Sequence, residues 1–488
     1  MSTTLGPATR PNLALAVIVI GVLITAVDST IVVLALPTMM RALHAALTTV
    51  VWIIMSYLLV ITLLATQVGR LGDMFGRVRM YELGFIIFVL GSAWCGFSSG
   101  WIELVAARVV QGIGGALVTA NSGAVIADVF PAEVRGRAYG YNSIGFNLGA
   151  ILGILLGGFI TTYFSWRWIF FINVPIGAIA LGLAAYSLRE HLVPQRHRLD
   201  LPGLATLGMG LGSILLVMTR LSARGWDPSD AILGVLGILF LISFVWVEQR
   251  QTEPLLHLNL FRVRVVTFSL LASLFQGLGG FCVLFLIMMY LQGARALTPF
   301  HAALLMVPGY LIGGIAGPFA GRLSDRLGSV LPATVGLCLQ ALAVVIYAQL
   351  GAHASLIWII VASMVNGIGA AGFFPSNNAA VMKGAPKGQY GIASGMLRTF
   401  ANVGMVMSFA AAIVMASSRI PRGLAFAIFV GTTHLTQKSI ALFVSGLHVA
   451  LYLSIAMLAL AALGSSVRGG SGAQMAVGGQ SKAVGRQR

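Results

Sequence analysis

Apolar positions in this chain neither alternate nor form one-sided stripes; they come in long runs. The runs lie at about 13–36, 49–68, 81–99, 102–127, 138–161, 168–188, 202–219, 231–247, 265–291, 302–320, 332–350, 355–375, 391–415 and 440–463. Each is close to the roughly 20 residues that carry an α-helix across a bilayer core. Barrel strands would instead alternate apolar and polar over about ten residues. The pattern predicts an all-α polytopic membrane protein of about fourteen transmembrane helices. A short apolar stretch, "GLAFAIFVG" at 423–431, cannot span and is read as an exposed loop segment lying along the interface. The N-terminus, residues 1–12, is short and polar. The run behind it is too long for a signal-peptide core, so it reads as a retained first helix. From Gly464 to Arg488 the chain turns to Gly and Ser with scattered Arg and Lys, a disordered basic tail.

The polar breaks carry a repeat. "GRLGDMFGRVRM" at 69–80 returns as "GRLSDRLGSVLP" at 321–332. "QGIGGA" at 111–116 returns as "NGIGAA" at 366–371, and "GRAYGYNS" at 136–143 loosely as "GQYGIASG" at 388–395. The common offset divides the chain into a first six-helix half (13–188), two inserted helices with linkers (189–264) and a second six-helix half (265–463). Two parallel halves with a path at their interface are a secondary-transporter architecture. With the N-terminus inside, about 20 Lys and Arg fall on the inner side and about 8 outside. Both termini and both charged turns are then cytoplasmic.

Composition narrows the class. Of 488 residues 58% are hydrophobic and 9% charged, with a mean hydropathy of +0.94. A soluble chain would carry about a quarter charged residues. The net charge of +17 could suggest nucleic acid. The basic residues are dispersed among short loops, so no nucleic-acid partner is expected. Cys95, Cys282 and Cys338 sit singly in separate apolar runs and read as packing residues, with no metal site.

Against this background a few charges stand out. Asp28 lies deep in the first run, where an unpaired charge costs roughly 3 kcal/mol on insertion scales. Desolvation raises a carboxyl pKa, so Asp28 is a candidate proton-coupling group; the alternative is a structural carboxylate satisfied by a neighbour. Thr25 precedes it on the same helical face. Arg108, with Gln111 on its face, is its candidate electrostatic partner. Arg398, with Asn402 one turn on, is a second buried cation that either binds an anion, pairs with Asp28 or is structural. Asn142, Gln276, Tyr290 and Asn366 complete a set of candidate cavity groups, each of which could equally be a helix–helix hydrogen bond. Glu82 and Glu103 fall near helix ends, and no acid lies within the helices of the second half. The substrate is therefore expected to be neutral, monocationic or anionic rather than dicationic, because an unpaired charge in low dielectric costs several kcal/mol.

Several stretches together resemble the major facilitator superfamily, and within it the fourteen-helix drug:proton antiporters. "GRLGDMFGR" is similar to the superfamily's loop signature between helices 2 and 3, and "RVVQGIGGA" at 108–116 to its helix 4 signature. "DSTIVVLALP" at 28–37, "SWRWIFFINVPIG" at 165–177, and "YLQ" at 290–292 with the downstream "LMVPGYLIGGIAGPFAGRLSD" resemble stretches of the fourteen-helix exporters. Two positions depart from the pattern: Ile154 stands where helix 5 usually has proline, and Val33 where helix 1 often has asparagine. The resemblance implies a gating charge lock at Gly69, Asp73, Gly76 and Arg77, repeated at Gly321, Asp325, Arg326 and Gly328. The alternative is a topological anchor.

The function expected is export of lipophilic small molecules in exchange for protons by a monomeric cell-membrane carrier, with the proton gradient as energy source, no cofactor, and membrane lipids as surroundings. The second reading is a carrier of the same fold for a lipid, siderophore or sugar. An embedded enzyme is disfavoured because no nucleophile–base cluster is seen, and no phosphate-binding loop suggests ATP.

Overall fold

In hydrocarbon every backbone N–H and C=O must find a partner within the protein, and a continuous helix does this segment by segment. Among the described residues the computed structural model meets that demand with fourteen helices long and apolar enough to span a membrane. They are α1 (Pro11–Ala42), α2 (Leu47–Phe75), α3 (Arg77–Phe97), α4 (Trp101–Val129), α5 (Ala132–Tyr163), α6 (Trp168–Ser187), α7 (Leu201–Arg224), α8 (Pro228–Glu248), α9 (Arg264–Ala294), α10 (Pro299–Leu327), α11 (Val330–Ala348), α12 (Ile357–Gly384), α13 (Tyr390–Ser417) and α14 (Gln437–Val467). The structure describes residues 11–130, 132–190, 198–386, 390–420, 424 and 437–468. The apolar segment at 423–431, Leu424 apart, and the tail beyond 468 lie outside the described residues.

Several helices outrun their apolar cores. α2 continues through "GRLGDMF", and α10 through "GRLSDRL". Gly69, Gly72 and Gly321 are therefore helical rather than part of a loop. A glycine inside a helix costs only about 1 kcal/mol, which neighbouring turns outweigh. The turn itself falls to Gly76 and Gly328, whose φ angles of 108° and 82° are left-handed. α14 likewise runs four residues beyond its predicted end, to Val467.

Helices α1 to α6 pack on one another, as do α9 to α14. Small residues bring the backbones close: a Cβ on Gly91 of α3 would meet the Gln111 amide of α4 at 2.6 Å, and one on Gly149 of α5 would meet the Leu23 carbonyl of α1 at 2.5 Å. α5 stays one continuous helix, with Ile154 fully buried at the position where a proline bend was expected.

The halves meet along two unlike seams. At the α5–α10 seam contact lies at the end away from the charged turns: Gly158 packs on Pro299, Phe300 and Ala303, and the Phe300 amide donates to Thr162 Oγ1 at 3.1 Å. Gln292 Nε2 donates to the Leu34 carbonyl at the same end. Toward the charged turns α5 exposes Tyr139, Tyr141, Ile144, Phe146 and Leu148, an arc too broad for one contact face, and the halves part. At the α2–α13 seam the two helices meet directly, and the inserted pair packs against them. Leu207 and Leu211 of α7 and Phe244 of α8 pack with Leu59 and Leu63 of α2 and Val403 and Met407 of α13.

Arg468, just past α14, ties the second half together at the charged-turn end. It donates to Asn377 Oδ1 of α12, to Ser269 Oγ of α9 at 3.0 Å and to the Ser329 carbonyl in the α10–α11 turn at 2.9 Å. Burial pulls its pKa down to about 10, which leaves it a cation at neutral pH. Hydrogen bonds to a charged group are worth more than neutral ones. Arg468→Ala is expected to lower the stability of the detergent-solubilised protein by on the order of 2 kcal/mol, and Arg468→Lys to recover little of it, because an ammonium lacks the planar fork. Thermal unfolding monitored by circular dichroism checks both.

Candidate functional site

The first half closes around one ion pair. Asp28, midway along α1, and Arg108, on α4, are 0% and 1% exposed. Arg108 Nη1 lies 2.6 Å from Asp28 Oδ2. Gln111, one turn after Arg108, accepts from the same Nη1 at 2.7 Å and donates from Nε2 to Asp28 Oδ1 at 2.9 Å. Asn173 Nδ2 of α6 reaches the same Oδ1 at 3.1 Å. Ser92 of α3 accepts from both amides at 3.1 Å and donates to the Phe170 carbonyl at 2.9 Å. α2 supplies the Ile53 carbonyl to Arg108 Nε at 3.0 Å and lays the Tyr57 ring 4.0 Å from the guanidinium carbon.

Two charges taken out of water cost several kcal/mol each, and their attraction offsets this only if the remaining lone pairs and protons are satisfied. Here each Asp28 oxygen has a donor. The carboxylate is thus a partnered charge between helices, not the isolated one that the apolar run suggested.

The other expected residues disperse. Thr25 is buried and returns its hydroxyl to the Gly21 and Val22 carbonyls of its own helix. Gln111 belongs to the Asp28 network and is fully buried. Gln276 of α9 donates to Gln340 of α11 at 3.0 Å. Tyr290 lies at the end away from the charged turns, where its hydroxyl donates to the Gly351 carbonyl at 2.7 Å. Asn142, Asn366 and Asn402 are half-buried. Arg398 is exposed, makes no ion pair among the described residues, and lies within electrostatic range of Tyr139 on α5. Because Tyr139 belongs to the other half, Arg398 faces the gap between the halves. A groove of about 490 Å³ over α1 and α5, lined by Asn12, Arg137 and Tyr141, contains none of the Asp28 network.

At the charged-turn end Arg77 Nε donates to Asp73 Oδ1 at 2.8 Å, and its Nη1 reaches Asp128 of α4 at 2.6 Å. Glu190, after α6, accepts the Arg79 amide at 3.0 Å and sits where a Cβ on Gly76 would be. The turn thus links α2, α3, α4 and the end of α6. In the second copy Asp325 and Arg326 are exposed and form no ion pair among the described residues. The contacts there come from Arg468.

Sequence reasoning missed Asn173, Ser92, Asp128, Glu190 and Arg468. Asn173 had a signal, as a polar residue inside an apolar run; Asp128 and Glu190 had one in their sign, acids at the same end as Arg77.

Residues 18–409 match the family model described as Major Facilitator Superfamily. The chain is 34% identical over 84% of its length to "Uncharacterized MFS-type transporter Rv1250" of Mycobacterium tuberculosis, covering 71% of that protein. It is 29% identical to "Riboflavin transporter RibZ" of Clostridioides difficile, over 82% of this chain and 86% of that one. To "Multidrug resistance protein 3" of Bacillus subtilis it is 30% identical, over 76% and 72% respectively. Among solved structures, a bacterial homologue of the human lysosomal transporter Spinster superposes with a TM-score of 0.68 at 16% identity, covering 95% of this chain and 98% of that one.

Removing one partner of a buried ion pair leaves the other charge uncompensated, at a cost of about 3–5 kcal/mol. Arg108→Gln is therefore expected to destabilise the protein more than the double change Asp28→Asn with Arg108→Gln. Thermal melts of the two single variants and the double variant form the cycle that checks this.

Proposed function

The chain belongs to the Major Facilitator Superfamily, and from that premise we propose that it exports lipophilic small molecules in exchange for protons by alternating access. The observation that carries the reading is the Asp28–Arg108–Gln111–Asn173 network, a titratable group bridging helices inside the bundle. The multidrug relative supports the substrate class. The riboflavin transporter among the relatives favours a second reading, a carrier of one defined metabolite.

In the proposed cycle a proton adds to Asp28 Oδ2 as the Arg108 N–H withdraws. Arg108 keeps the Ile53 carbonyl and Gln111, so it stays solvated by the protein. Loss of the ion pair loosens α1 from α4 and shifts the balance between the two orientations of the halves. Each pH unit of gradient supplies about 1.4 kcal/mol per proton, comparable with typical coupling energies of about 1–3 kcal/mol. The Asp73–Arg77–Asp128 contacts hold one orientation and part in the other. Under the positive-inside assignment the N-terminus, both charged turns and the open gap of the α5–α10 seam are cytoplasmic, in a cell-membrane protein.

Asp28→Asn is expected to abolish uphill efflux while leaving insertion intact. Dye efflux from inverted vesicles, with and without a proton gradient, tests it; full gradient-driven transport by the variant would end the coupling role. Asp73→Asn is expected to slow turnover with little change in substrate affinity, because a lock acts on state populations. Stopped-flow transport and equilibrium binding separate the two.

The charge of the substrate follows from the gap. Asp28 is sealed from it, and Arg398 lies exposed in it. Neutral and anionic lipophiles are therefore favoured and dications excluded. Matched dyes of each charge, competed in the same vesicles, decide this, and better transport of the dication would overturn it.

A further inference from the structure

The foot of the inserted helix pair buries two carboxyl groups that the cycle above does not use. Asp200 caps α7, its Oδ1 accepting the Gly203 amide at 2.8 Å. Glu248 ends α8, its Oε2 accepting the Leu256 amide at 2.9 Å. The residues are 1% and 3% exposed, and their side chains lie within hydrogen-bonding range of each other. Yet Asp200 Oδ2 and Glu248 Oε1 are both buried without a donor. Gln67 of α2, itself 3% exposed, donates Nε2 to the Asp200 carbonyl at 3.3 Å and leaves its own Oε1 buried without a donor. Acceptors crowd this place and donors are short.

The charges around it come from three elements. Arg70 of α2 donates to the carbonyls of Arg198, Glu253 and Pro254, at 3.3, 2.8 and 2.6 Å, and so grips both linkers that flank the inserted pair. Glu253 accepts the Arg198 amide at 3.3 Å. His257, in the same linker, is held below its usual pKa by burial and then by Arg70, so it is not the cation that offsets the carboxyls. α13 offers only Val403 and Met407 to the surrounding apolar cluster. Among the described residues one guanidinium, that of Arg70, lies within electrostatic range of Glu248. Two adjacent carboxylates cannot both stay ionised in buried surroundings. A single proton between them supplies the missing donor and leaves one negative charge opposite Arg70.

We propose that Asp200 and Glu248 share one proton, a proton-binding site separate from Asp28, and that this proton clasps the foot of α7 and α8 onto α2. The sign follows from linkage. The docked foot holds a proton that the freed carboxyls, at ordinary values of about 4, would release. Docking is strongest in acid and weakens by up to about tenfold per pH unit above that range, until the docked pair itself loses the proton. Glu248→Gln replaces the shared proton by an amide N–H, which keeps the contact and removes the dependence.

The test uses the full-length protein in lipid nanodiscs. Infrared difference spectra at neutral pH are expected to show a protonated-carboxyl band that persists in Asp28→Asn and is lost in Glu248→Gln and in Asp200→Asn. Hydrogen exchange of residues 249–263 is compared between wild type and Glu248→Gln at each pH, so that the chemical exchange rate cancels. The ratio is expected to grow with pH by up to about tenfold per unit. If Asp200→Asn does not fold for want of its cap, Glu248→Gln carries both measurements. A band that survives Glu248→Gln, or equal pH dependence in the two proteins, would overturn the proposal. Protection that follows sodium concentration at fixed pH would overturn it too, by assigning the acceptors to a metal cation.

Discussion

A carboxylate and a guanidinium held 2.6 Å apart, out of reach of solvent, constrain everything around them. Neither charge can be left alone in an apolar bundle, so α1 and α4 must stay in register, α6 must present Asn173 to Asp28, and α3 must present Ser92 to both amides. The glycines at the α3–α4 and α1–α5 crossings give the backbone clearance that this register needs. The second half makes its corresponding polar contact with two neutral side chains, Gln276 and Gln340. Among the described residues the buried ion pair lies in the first half, and no ion pair joins the two halves.

The charged-turn end shows the same asymmetry with the signs exchanged. In the first half acids from α4 and from beyond α6 gather on Arg77 and on the amide of Arg79. In the second half a cation from the end of α14 gathers neutral acceptors from α9, α12 and the α10–α11 turn. Both devices tie the last helix of a half to its glycine turn. The sequence repeat at 69–80 and 321–332 carries the turn, not the electrostatics built on it.

The fold was legible because the hydrocarbon core imposes one length on every spanning helix, and fourteen runs of that length are plain in the chain. Asp28 and Arg108 were legible for the same reason: a charge inside such a run is conspicuous. Their distance was not, since nothing in either run states how α1 and α4 are rotated. Asn173 and Ser92 hid among many neutral polar residues that serve only helix packing. Arg468 hid because the Gly and Ser around it read as the start of a tail, whereas α14 continues past Gly464 to reach it. The role expected of Asp325 and Arg326 rested on symmetry alone, and symmetry in sequence did not extend to their side-chain contacts.

The inserted helices pack against one seam between the halves, where α2 and α13 also meet directly, and the other seam is joined at the end away from the charged turns. In the proposed cycle such a molecule opens as a fan about a spine rather than as a pair of jaws. Whatever area the protein gains or loses in the plane of the bilayer is taken up on the α5–α10 side. The lateral pressure of the lipid therefore bears on one lip of the opening, and a membrane that is thicker or stiffer on that flank becomes a load on the moving part.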